Sequence, residues 1–112
     1  MDDLKEKTFK FSIDIINLVE LLPKMKAVNV VSYQIAKSGT SVGANYRAAK
    51  RARSDKEFIS KINIVLEEVD ETLFCLEIIK AKNWINNEII EPLLKDADEL
   101  TAIFVSTFKN NK

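Results

Sequence analysis

The chain has 112 residues, 46% of them hydrophobic and 30% charged, so one domain can bury a core without disulfides or metals. Seventeen basic and seventeen acidic side chains cancel, so no global field draws in a polyanion and any electrostatic function must be local. Histidine is absent, which excludes His-centred triads, Glu-x-x-His di-iron pairs and the usual near-neutral general base.

Two glycines and two prolines leave few places to turn, which favours a few long helices over many short strands. The first helix is expected over 8–22, where apolar residues recur every three or four positions. Phe9, Ile13 and Ile16 form one stripe, and Phe11, Ile15, Leu18 and Leu22 form another. Pro23 ends it. Two stripes are more than one neighbour needs. Self-association is therefore expected, with Phe11, Ile15 and Leu18 as the face left exposed.

The second helix is expected over 27–52, with Val31, Ile35, Ser38, Val42, Asn45 and Ala49 in register. Within it, "SGTSVGAN" lacks a preceding strand and the Gly-Lys-Ser/Thr ending of a phosphate loop. As helix, Gly39 and Gly43 share a face with little bulk. Each costs about 1 kcal/mol against alanine, and close approach by a neighbouring helix is the natural compensation.

Ser54 and Glu57 form a capping box, so the third helix starts near Asp55 and runs to 82. Its core positions are Phe58, Ile62, Val65, Val69, Leu73 and Leu76. An antiparallel hairpin turning at Ser54 sets Ser41 level with Glu67. A structural polar layer of Ser41, Asn45, Glu67 and Glu68 is expected there. The fourth helix is expected over 88–109, capped by Asn86 or Asn87, with Leu93, Ala97, Leu100, Phe104 and Phe108 facing inward. Pro92 suits only its first turn. The whole chain, 1–112, is expected to be a single all-α, up-down-up-down four-helix bundle.

Charge is unevenly placed. Residues 47–64 carry six basic and two acidic side chains, and residues 65–79 carry five acidic and no basic ones. Arg47, Lys50, Arg51, Arg53 and Lys56 form a basic corner at the turn between the second and third helices. Cations in the last turn of a helix complement its dipole, and Arg47 and Arg51 are spaced to reach acids on a neighbour. The same cluster fits RNA phosphates. Tyr46 is the aromatic nearest in sequence, thin support for base stacking. Glu67, Asp70 and Glu71 share a face that fits Mg²⁺ only with help from phosphate oxygens, so nucleotide hydrolysis is the weakest alternative. No catalytic residue, metal ligand or cofactor is expected. Cys75, with no histidine to activate it, reads as a small buried residue. A lone cysteine and a charged start without an apolar signal core point to the cytoplasm, and no membrane partner is expected.

The run "SGTSVGANYRAAKRARSDKEFISKINIVLEEVDETLFCLEII", with the weaker "FKFSIDIINLVELLPK", resembles the four-helix bundle proteins grouped with the 23S rRNA intervening-sequence proteins. Ser41 and Asn45 match the family's Ser-x-x-x-Asn, and Glu68 matches the glutamate of its third helix. Ala48 stands where many members carry glutamate, and residues 63–65 where they carry Arg-Gly-Ser. The resemblance implies an up-and-down bundle that assembles into cyclic homo-oligomers, often pentamers. It also implies RNA or a nucleic-acid-associated protein as partner, since a related branch serves the reverse transcriptases of diversity-generating retroelements as an RNA-binding accessory. Two readings stay open: an RNA-binding module, and a protein-interaction scaffold whose basic corner pairs with the acidic stretch of a neighbouring subunit.

Overall fold

Pro23, the basic turn and Asn83 divide the chain into four helices in a computed structural model that describes residues 3–110. They are α1 Asp3–Leu21, α2 Lys26–Lys50, α3 Asp55–Ala81 and α4 Asn87–Asn110. Each packs on its neighbour in sequence, and α4 returns to α1 along the thinnest seam. The result is the expected all-α four-helix bundle, 44 × 23 × 22 Å. At 1.5 Å per residue α3 alone spans about 40 Å, nearly the full length.

The boundaries follow local chemistry. Ser54 is extended (φ −152°, ψ 162°) and its Oγ accepts from the Glu57 amide at 3.1 Å. The Glu57 carboxylate reaches back to the Arg53 amide at 3.4 Å, one residue earlier than a reciprocal box requires. At the far end of α3, Asn83 takes φ 56°, and the amides of Asn83 and Trp84 bond to the carbonyls of Lys80 and Ile79. This is a Schellman closure with asparagine supplying the left-handed residue. Asn86 Oδ1 accepts from the Glu88 amide at 2.8 Å, so Asn86 rather than Asn87 opens α4. That start places Pro92 in the second turn, beyond the first-turn position expected for it. The proline removes the N–H that would bond the Glu88 carbonyl.

The core comprises one stripe from each helix, including Ile15 and Leu18 of α1, Ile35 and Val42 of α2, Ile62, Val69 and Leu76 of α3, and Leu100 and Phe104 of α4. This corrects the expectation for α1. Phe11, Ile15 and Leu18 are 2%, 0% and 1% exposed, whereas Phe9 and Ile13 are 52% and 43% exposed. The wider stripe is the inward one, because α1 must serve both α2 and α4. The thin α1–α4 seam is lined by charge, with Lys7 Nζ 3.5 Å from Glu99 and Lys10 bonded to Asp14 at 2.7 Å. Such exposed pairs are screened by solvent and add little to stability.

The small face of α2 is where α1 crosses. A Cβ on Gly39 would lie 2.7 Å from Ile15 Cγ2, and one on Gly43 would lie 3.0 Å from Ser12 Oγ. The Ser12 hydroxyl donates to the Gly39 carbonyl at 2.7 Å, sharing its proton with the Thr8 carbonyl at 3.0 Å. The glycines are thus compensated by close helix packing, as their spacing anticipates. Ile15 is fully buried and has nowhere to swing. Gly39→Ala should therefore overpack this crossing by about 1–3 kcal/mol, against about 1 kcal/mol gained in helix propensity. Thermal melts should show a midpoint lower by about 5 °C; an unchanged midpoint would mean that the crossing relaxes freely.

Candidate nucleic-acid interface

Up-down topology brings the C-terminal end of α2, the N-terminal end of α3 and the start of α1 to one end of the bundle. Arg47 and Lys50 occupy the last turn of α2, Arg51 and Arg53 the connection, and Lys56 the first turn of α3. All five side chains are exposed. Lys5 joins them: with Arg47, Lys50 and Arg51 it lines a cleft of about 240 Å³. A second cleft of about 270 Å³ lies on the other side of Lys50, walled by Ala49, Ala52, Arg53, Ser54, Asp55 and Phe58.

Among the described residues, Lys7, Lys10 and Lys80 each form an ion pair, the last with Glu91 at 2.6 Å. Arg51, Arg53 and Lys56 form none within that set. Arg47 lies over the Phe9 ring, 5.6 Å from its centroid, a contact worth about 0.5–1 kcal/mol at an exposed site. Tyr46 is not available for stacking. It is buried against Phe104, ring centroids 5.7 Å apart.

The polar contact between α2 and α3 differs from the layer of Ser41, Asn45, Glu67 and Glu68 expected from the sequence. Thr72 Oγ1 and Ser38 Oγ, both buried, are 2.8 Å apart. That pairing centres the hairpin on Asp55 rather than Ser54, so the residue level with Ser41 is the buried Val69 rather than Glu67. Ser41 and Asn45 bond back along their own helix, to the carbonyls of Lys37 (2.7 Å) and Ser41 (2.9 Å). Glu67 is exposed and accepts from Asn63 at 3.1 Å. Glu68 is half-buried, and burial, with Glu71 and Glu67 adding repulsion, pushes its carboxyl above the usual 4.5 despite the opposing pull of Lys37.

The acidic residues do not assemble a metal site: among the described residues no three His, Cys, Asp or Glu side chains converge as ligands would. Cys75 is buried, and burial followed by the Glu71 charge raises its thiol above the usual 9.0, which suppresses the reactive thiolate. No helix among the described residues is long and apolar enough to cross a membrane.

The model of the family described as 23S rRNA-intervening sequence protein matches residues 3–106. The chain belongs to that family. A crystal structure of a protein of unknown function from the S23 ribosomal protein family of Bacteroides thetaiotaomicron is 37% identical, covers 95% of this chain and 98% of its own, and superposes with a TM-score of 0.84. No curated protein matches the chain. Membership and the structural match agree on the four-helix fold.

Two parts of this end escape sequence inspection. Lys5 falls before the expected start of the first helix, so nothing assigns it a face. Phe9 belongs to an outer stripe that periodicity alone cannot tell from the inner one.

The raised carboxyl of Glu68 has a defined pH signature. A folded state that holds this proton more tightly than the unfolded chain loses stability as pH rises from about 4.5 through the raised value. Glu68→Gln removes that penalty. The variant should gain thermal midpoint at pH 7 and little or nothing at pH 4; equal gains at both would mean the carboxylate is not the cause.

Proposed function

We propose that the chain is a non-enzymatic, self-associating binding module that holds RNA, or a nucleoprotein through its RNA, at the basic end of the bundle in the cytoplasm. The observation that carries this reading is the contrast among cations. Among the described residues, Lys7, Lys10 and Lys80 have acids within 4 Å, whereas Arg51, Arg53 and Lys56, exposed and close together in the chain, have none. Exposed cations clustered in this way offer a polyanion several phosphate contacts at once. The neutral total charge then works in favour of selectivity, because attraction is confined to one corner. If the protein forms a ring, as the expected pentamer would, several corners act together and avidity strengthens a weak single contact.

A second reading has an observation of its own. An apolar groove of about 240 Å³ runs between α1 and α2, lined by Phe9, Ile13, Ile16, Gly43 and Ala44, with Arg47 at its edge. Exposed acids Glu67, Asp70, Glu71 and Glu77 lie on α3. In a protein-interaction scaffold these surfaces meet between subunits, and the basic corner is subunit glue.

RNA binding at two salt concentrations separates the readings. Wild type is compared with Arg51→Ala/Arg53→Ala/Lys56→Ala, and the mass of each is followed by light scattering. At roughly 0.7 in log–log slope per phosphate contact on a single strand, three contacts predict about a twentyfold loss of wild-type affinity between 50 and 200 mM salt. The variant should bind weakly, with a slope flatter by about two and its mass unchanged. A wild type that binds no RNA, or a variant that falls apart, favours the scaffold.

A further inference from the structure

We propose that the basic end takes single-stranded RNA, with one unstacked base lodged in the cleft beside Phe58 and the flanking phosphates on Lys50 and Arg53. This rests on the RNA-binding reading and specifies its ligand.

The composition of the two clefts distinguishes a strand from a duplex. Lys50 lines both, so the two clefts adjoin at its side chain. The Phe58 cleft is lined by Ala49, Ala52 and the half-buried Phe58 ring, which also packs on the core, together with Arg53 and the Asp55 carboxylate. A carboxylate repels phosphate but accepts hydrogen bonds from the amino groups of base edges. Apolar lining and carboxylate together fit a base better than a phosphate.

Bases offer their faces only when unstacked. An A-form duplex has a deep, narrow major groove that side chains do not read and a shallow minor groove that shows edges and 2′-hydroxyls. Non-specific single-strand sites combine a basic track with aromatic side chains that receive bases, and this end has both within about one helical turn of Ser54. The sequence hides the second element, because periodicity assigns Phe58 to the core, whereas in the structure it is half-buried and lines the cleft while Tyr46 is buried against Phe104.

The test uses the full chain and three probes: a 12-nucleotide RNA strand, its duplex, and the same strand with abasic positions. Wild type should bind the intact strand about tenfold more tightly than either alternative at low salt, one base–aromatic contact's worth. Phe58→Leu, which keeps an apolar side chain against the core, should lose that preference and keep its duplex affinity. Equal wild-type affinity for all three probes, with sensitivity to Arg51→Ala/Arg53→Ala/Lys56→Ala retained, overturns the base-lodging inference and leaves RNA binding standing. Binding to none of them at low salt overturns both. If Phe58→Leu melts early, the abasic strand against wild type decides the question alone.

Discussion

The crossing of α1 over α2 at Gly39 and Gly43 is the constraint on which the rest of the structure depends. Removing two side chains from α2 lets Ser12 come within 2.7 Å of a main-chain carbonyl, and fixes how far along α2 the first helix lies. That register places Lys5 beside Arg47 and Lys50, and Phe9 beneath the Arg47 guanidinium. A crossing held apart by an ordinary Cβ would shift these contacts by an ångström or more. The two glycines lie in the middle of the bundle, yet they decide what stands next to what at its end.

The buried polar groups serve the same register. Ser12, Ser38, Thr8 and Thr72 each have a hydrogen-bond partner, and among the described residues no buried side-chain oxygen or nitrogen is left unpaired. Each such bond adds only about 0.5–1.5 kcal/mol net, but an unmade one costs about 1–3 kcal/mol. The Ser38 and Thr72 hydroxyls also bond within their own helices, to the carbonyls of Ile35 and Glu68, so a slide of α2 along α3 loses the bond between them without stranding either group.

The four helices were legible because each signal is local. Pro23 ends a helix, Ser54 and Glu57 begin one, and apolar spacing of three and four marks each inward face. Family resemblance agreed because it rests on the same α2–α3 hairpin. What was hidden depends on distance in space. Two apolar stripes on α1 cannot be ranked until its neighbours are placed, so Phe11, Ile15 and Leu18 were assigned outward when they face the core. The buried polar contact between α2 and α3 is Ser38 with Thr72, and with the hairpin centred on Asp55 the buried Val69, not Glu67, lies level with Ser41. The basic corner was visible as a run of residues, but Lys5 and Phe58 join it only through folding.

The corner's charges do not all have the same explanation. Arg47 and Lys50 close α2, where the negative end of the helix dipole stabilises a cation by about 0.3–1 kcal/mol. They would sit there whether or not the protein bound anything. Arg53 and Lys56 flank the start of α3, where the same dipole is positive and a cation is disfavoured. Asp55 and Glu57 in that turn answer the dipole, and Glu57 is committed to the cap. A cation placed against the local field, exposed and with no ion pair among the described residues, gains nothing from the helix dipole. Its field adds to that of the helix end, and together they make the start of α3 more attractive to an anion than either alone. Of the cations that the helix dipole does not explain, Arg53 lines the cleft beside Phe58 and Lys56 follows it in the first turn of α3.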